Sequence, residues 1–239
     1  MLQLVGSDTN CLYKDGCLKR NSDVCGEYCV KKSKLDSLYK NSMLSDKQMV
    51  DITLFPDNPA PDGFRVDKDK FDILQNIKEN IVSFVRSGNN LYIHSNICGN
   101  GKTEWSLKLM RAYINSIWAY ANMDRCVALF VNVPRFLLSL KDNIESRNEY
   151  VRYVKDHVLE ADIVVWDEIG VKELTTYEHE HLLNLINTRL DMGKSNIYTS
   201  NLSGNELRLR IGDRLYSRVV RMSTDITFEG YDKRGAIVR

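Results

Sequence analysis

The chain has 239 residues, 43% of them hydrophobic and 27% charged, and a formal net charge of +1. This profile fits a core-forming protein with room for one ordinary domain and a small extra one, and it excludes a disordered chain. Near-neutral charge gives no support for a strong nonspecific grip on nucleic acid, so any such binding has to come from a local patch.

The longest apolar runs, such as Cys126–Val131 and Ile163–Trp166, are far too short to span a bilayer, so no membrane association is expected. Met1–Gly6 has no basic n-region and no long apolar stretch, so it does not read as a signal peptide. A reducing cytoplasm is the expected location, where the six cysteines would not form disulfides.

Cys11, Cys17, Cys25 and Cys29 fall close together near the N-terminus, with no histidine among them. Four thiolates are enough for a tetrahedral structural zinc site, and zinc would supply free energy that a small module lacks. The spacings are not the tight Cys-x2-Cys pairs of a strong zinc signal, and independent buried or surface thiols are the alternative. Pro56, Pro59 and Pro61 follow, where missing donors and fixed φ prevent a helix or central strand. The reading is a cysteine-rich module over residues 1–55, a linker over 56–63 and a second domain over 64–239.

In that second domain Lys70–Arg86 has helical apolar spacing and Leu91–His94 reads as a strand. Lys102–Ala121 is expected to be a helix, Cys126–Val133 a strand, and Pro134–Lys141 and Asn148–Leu159 helices. Ile163–Trp166 is a continuous apolar strand, Tyr177–Met192 a helix and Ser195–Thr199 a strand. Glu206–Arg221 reads as a helix and Thr224–Glu229 as a last strand. Such alternation implies an α/β sandwich with a mostly parallel sheet between helix layers.

Between the first strand and its helix lies Asn96-Ile97-Cys98-Gly99-Asn100-Gly101-Lys102-Thr103, followed by Glu104. This is the phosphate-loop pattern with asparagine in place of the first glycine, a mild departure because asparagine tolerates positive φ. Backbone N–H groups and the helix N-terminus would face the phosphates of ATP. Lys102 would reach the β- and γ-phosphates, and Thr103 would ligate Mg²⁺.

About 60 residues later Ile163–Trp166 ends in Asp167 and Glu168. Asp167 is placed to hold Mg²⁺ and Glu168 to orient or deprotonate water. Asn201, at the tip of the Ser195–Thr199 strand, could offer its amide to the γ-phosphate or the water, the plain alternative being a turn residue. Arg214, Arg218 and Arg221 follow i, i+4, i+7 spacing on one helix face. One of them could serve as an arginine finger; the plain alternative is a solvated basic face. Arg135, Phe136, Lys141, Arg147, Arg152 and Tyr153 mix cations with aromatics in a way suited to single-stranded DNA, or simply form an amphipathic helix pair.

In this order, the phosphate loop, the Asp-Glu strand, the Asn-tipped strand and the arginine helix resemble the AAA+ superfamily. The segments Asn96–Thr103, Ile163–Gly170, Leu185–Leu202 and Gly212–Arg218 are most similar to the DnaC/DnaI group of bacterial and phage helicase loaders, and to IstB transposition ATPases. The resemblance covers roughly 64–239. It implies a P-loop AAA+ three-layer sandwich and makes Asn201 the sensor 1 residue. It also makes Arg218 a finger acting on a neighbour in a head-to-tail ring or spiral, and Arg234 a match to a sensor 2 arginine. Loaders of the DnaI kind also carry a zinc-containing N-terminal module, whereas IstB-type proteins usually lack one.

The expected function is therefore ATP-dependent loading of a hexameric replicative helicase onto single-stranded DNA. An IstB-like transposition helper is the first alternative. A small-molecule P-loop kinase is disfavoured by the arginine helix, and a nucleotide-gated adaptor by the presence of Glu168.

Overall fold

The structure, a computed structural model, describes Cys11, Cys17 and residues 29–50, 66–142 and 148–233. The expected linker over 56–63, Cys25, Arg147, Arg234 and the side chain of Lys141 lie outside this description.

The elements in chain order are α1 (Val30–Asn41), α2 (Asp46–Met49), α3 (Lys68–Glu79), α4 (Ile81–Arg86), β1 (Asn90–His94), α5 (Lys102–Ile117) and β2 (Ala128–Asn132). They continue with α6 (Val133–Asp142), α7 (Glu149–His157), β3 (Ile163–Asp167), α8 (Thr176–Asp191), β4 (Ser195–Ser200), α9 (Gly204–Val219) and β5 (Thr224–Thr227). The five strands form one wholly parallel sheet in the order β2-β3-β4-β1-β5.

Strand alternation divides the core into two layers, because successive side chains point to opposite faces of a sheet. Leu91, Ile93, Ile163, Val165 and Ile197 face a cluster with α1, α3, α4 and α5. Tyr92, Val164, Trp166 and Tyr198 face the opposite cluster with α6, α7, α8 and α9. Every residue of β1, β3 and β4 is buried, which explains why these strands read as continuous apolar or uncharged runs.

Caps and breaks follow local chemistry. Thr175 and Glu178 form a capping box at the start of α8, and Asn148 accepts the N–H groups of Tyr150 and Val151 at the start of α7. The helix expected over Lys70–Arg86 breaks at Asn80, which leaves helical φ/ψ and ends α3 where α4 begins. Arg189 of α8 is fully buried and binds four acceptors: the Asn196 side chain and the carbonyls of Val158, Ala161 and Ser195. It thereby stitches together the lower ends of β3 and β4.

The core continues across the boundary that the sequence places near residue 55. Leu35, Leu38, Tyr39 and Leu44 belong to the same cluster as Phe71, Trp105 and Phe130. Ser42 also offers its carbonyl to the N–H of Phe130 on edge strand β2 at 3.0 Å, and Asn41 accepts from the Tyr153 hydroxyl at 2.7 Å. Residues 30–49 thus cover an edge that would otherwise expose unpaired backbone groups.

Candidate nucleotide site

The loop Asn96–Thr103 joins β1 to α5 at the carboxyl end of the sheet, where open α/β folds bind ligands. Gly99 (φ 75°) and Gly101 (φ 104°) take left-handed backbone, which glycine adopts without steric cost. Asn96 does not draw on the tolerance of positive φ expected of it. Among the described residues the non-glycine positions with positive φ are Met43, Asp67 and Glu168, so Asn96 does not use the left-handed region. Asparagine is accepted at 96 because the backbone is ordinary there and the side chain is exposed.

Side chains within the loop hold its shape. Ser95 Oγ accepts from the Ile97 N–H at 3.0 Å and from Asn100 Nδ2 at 2.7 Å. Lys102 Nζ folds over the loop and donates to the Ile97 carbonyl at 2.7 Å and to Asn100 Oδ1 at 3.2 Å. These neutral acceptors can be exchanged for phosphate oxygens with little movement of the ammonium. Ile97 and Cys98 are exposed. Glu104, expected among the nucleotide-binding residues, forms an ion pair with Arg111 of the same helix.

The chain beyond β5 returns to the loop. Asp67 accepts the N–H groups of Glu229 and Gly230 at 2.9 and 2.8 Å, and the Lys233 N–H donates to the Gly99 carbonyl at 2.9 Å. A Cβ at Gly99 would meet the carboxylate of Asp232, an exposed side chain that can turn aside, so it is the φ of 75° that demands glycine there.

On the metal side, Thr103 Oγ1 donates to Asp167 Oδ1 at 2.8 Å. Hydroxyl and carboxylate oxygens this close form the donor set that suits Mg²⁺. Burial holds the Asp167 carboxyl above its usual range, with Glu168 adding to the effect and hydrogen bonds from Thr199, Thr103 and Asn132 opposing it. Glu168 is half-buried and has φ 60°, a left-handed backbone that costs a non-glycine residue energy and points to function.

Two site residues were missed by sequence reasoning. Asn132 ends β2 opposite Asp167 in the strand register, and its Nδ2 donates to Glu168 Oε2 at 3.2 Å and to Asp167 Oδ2 at 3.5 Å. Thr199 Oγ1 donates to Asp167 Oδ1 at 2.7 Å and accepts the Glu168 N–H at 3.0 Å. The available signal was a polar residue at the carboxyl end of each apolar strand. Asn201 sits one residue beyond β4, half-buried, and the side-chain bonds to Asp167 and Glu168 come from its neighbours instead.

The arginine helix departs from a straight rod. Gly212 takes φ 77° and ψ 160° and kinks α9, and Arg221 lies beyond its end at Val219. A single three-arginine stripe is therefore replaced by Arg214 and Arg218 on the segment after the kink. Arg218 Nε donates to Asn187 Oδ1 of α8 at 2.7 Å. Both arginines line an open cleft of about 570 Å³ between α8 and α9.

The DNA-contact expectation also changes in part. Phe136 is fully buried and cannot stack on a base, while Arg135 lies 4.4 Å over the Tyr150 ring and Arg152 is exposed. Among the described residues, no group of three or more His, Cys, Asp or Glu could hold a metal ion. The four-cysteine set cannot be assembled there, because Cys25 is outside them. No helix among them is long and apolar enough to cross a membrane.

No protein-family model and no curated protein sequence matches the chain. Solved structures do. The structure of DnaI aligns with a TM-score of 0.57 at 15% identity, covering 78% of this chain and 95% of that one. The DnaC helicase loader aligns with a TM-score of 0.51 at 22% identity, covering 66% and 91%. The replication initiator DnaA bound to AMPPCP and single-stranded DNA gives 0.53 at 15% identity and covers 73% of this chain, which spans only 52% of the DnaA chain. The chain has the AAA+ fold of DnaC- and DnaI-like proteins.

Proposed function

We propose that this chain binds and hydrolyses ATP with Mg²⁺ and uses the cycle to load a hexameric replicative helicase onto single-stranded DNA. The observation that carries the reading is the convergence of Lys102, Thr103, Asp167 and left-handed Glu168 at one end of a DnaC/DnaI-like sheet. Lys102 and the loop N–H groups would bind the β- and γ-phosphates. Thr103 and Asp167 would hold Mg²⁺, which when bound neutralises charge developing on the phosphates. Glu168, steadied by Asn132, would take a proton from the attacking water, and Asn201 would offer its amide to the γ-phosphate or that water.

Arg218 is exposed beside an open cleft, which leaves it accessible to serve as a finger for a neighbouring subunit in a head-to-tail ring or spiral. The exposed cations Arg135 and Arg152 would track single-stranded DNA. Zinc on Cys11, Cys17, Cys25 and Cys29 would complete a small helicase-binding module ahead of α1, since residues 30–49 pack with the ATPase core. Elemental analysis should then give about one zinc per chain.

The test is a loading assay with the host's ring helicase and a single-stranded DNA circle. Helicase retained on the circle should depend on this protein and on ATP, and should be lost with Lys102→Ala. Loading that is equally efficient without the protein overturns the proposal.

A further inference from the structure

We infer that Thr199 is a positioning residue for hydrolysis, locking Asp167 and Glu168 into one rigid unit through a single hydroxyl. This rests on the ATPase reading of the site. A threonine hydroxyl has one proton to donate and two lone pairs to accept with. The Glu168 N–H can only donate, so at 3.0 Å it occupies a lone pair of Thr199 Oγ1. The hydroxyl proton is then committed to Asp167 Oδ1 at 2.7 Å. Thr199 is 1% exposed, so water cannot readily replace either bond.

The need for such a clamp comes from the backbone of Glu168. At φ 60° its N–H turns toward a side chain instead of a strand partner, and an unpaired group there would favour relaxation to an ordinary conformation. Neighbouring bonds fix the same turn: the Ile169 N–H donates to the Thr199 carbonyl at 2.9 Å, and Ser200 Oγ donates to the Ile169 carbonyl at 2.7 Å. The Thr199 hydroxyl joins the Asp167 carboxylate to the Glu168 backbone N–H, whereas Asn132 Nδ2 joins the two carboxylates. Thr199 acts through the two acidic residues that it holds.

The experiment compares Thr199→Val, Thr199→Ala and Thr199→Ser with wild type. Valine keeps the shape and β-branching without the hydroxyl, alanine relieves any crowding, and serine restores the hydroxyl. Loss of a hydrogen-bonding partner behind a metal-site residue typically costs about 10- to 100-fold in activity. We expect kcat to fall by that factor in the valine and alanine variants, with ATP affinity measured without Mg²⁺ unchanged because the loop and Lys102 are untouched. Serine should recover most of the turnover. In a Glu168→Gln background the valine change should add no further loss, since both act on one step.

Wild-type kcat in the valine or alanine variant overturns the assignment, as does a serine variant impaired as severely as valine. A full additional loss in the Glu168→Gln background also overturns it. A wild-type chain without turnover, even with DNA and helicase present, sinks the ATPase reading and this one together. Wild-type turnover with an unimpaired valine variant sinks this one alone.

Discussion

Replacing Gly170 by alanine would place a methyl group 2.4 Å from Leu207 Cδ1 and 3.3 Å from Leu202 Cδ1. Gly170 has φ 86° and lies two residues after Glu168, where the turn leaving β3 passes under α9. Two costs add. A left-handed conformation costs an L-residue about 1–2 kcal/mol, and forcing a methyl into a packed core costs about 1–3 kcal/mol. Leu207 is fully buried and cannot swing into solvent, so the whole chain should lose about 2–5 kcal/mol.

In urea denaturation, with a slope of about 2 kcal/mol per molar, the midpoint should fall by about 1–2.5 M. ATP binding should survive at low denaturant, because the phosphate loop is a separate segment, while hydrolysis should fall as the Glu168 turn shifts. Leu207→Ala makes room for the methyl, so Gly170→Ala should cost less in that background than alone. A midpoint within about 0.3 M of wild type, or a cost unchanged in the Leu207→Ala background, would refute the packing argument.

Lys102→Ala retains a finger and Arg218→Ala retains a loop, so mixing two inactive variants should restore some ATPase activity. A mixture no more active than the sum of its parts, where wild type assembles, would show that Arg218 does not act across subunits. Arg189→Met should cost about 3–5 kcal/mol by stranding buried carbonyls of Val158, Ala161 and Ser195, read as a lower denaturation midpoint. A loss below about 1 kcal/mol would mean that other donors reach them. At Asp162, burial raises the carboxyl pKa, but hydrogen bonds from Lys194 and Arg125 outweigh it and hold the group below its ordinary value of 3.8. That stabilisation is present above pH 3.8 and disappears as pH falls through the lower folded-state value. Asp162→Asn should therefore destabilise the protein at pH 7 and matter progressively less as pH falls below 3.8, as measured by denaturation across that range.

Amino-acid order alone determined the parts of this protein whose physics is local. A phosphate loop needs its glycines, lysine and threonine in sequence, and the apolar run ending in Asp167 and Glu168 announces a buried strand with an acidic tip. Helix–strand alternation was enough for a parallel sheet between helix layers. The proline-rich stretch suggested a boundary near residue 55, but Leu35, Leu38, Tyr39 and Leu44 ahead of it belong to the same core as Phe71 and Trp105.

Tertiary structure decided what depends on residues far apart in the chain. Strand order brings Asn132 and Thr199 beside Asp167 from either side, over separations of 35 and 32 residues. Polar strand ends are too common for sequence alone to single these two out. Phe136 is buried with Val133, Leu137 and Leu140 on the face that α6 turns to the core, and which face that is was set by the elements it packs against. Left-handed Glu168 belongs with them: nothing in its residue type prescribes φ 60°, and the bonds that hold that turn come from the end of another strand.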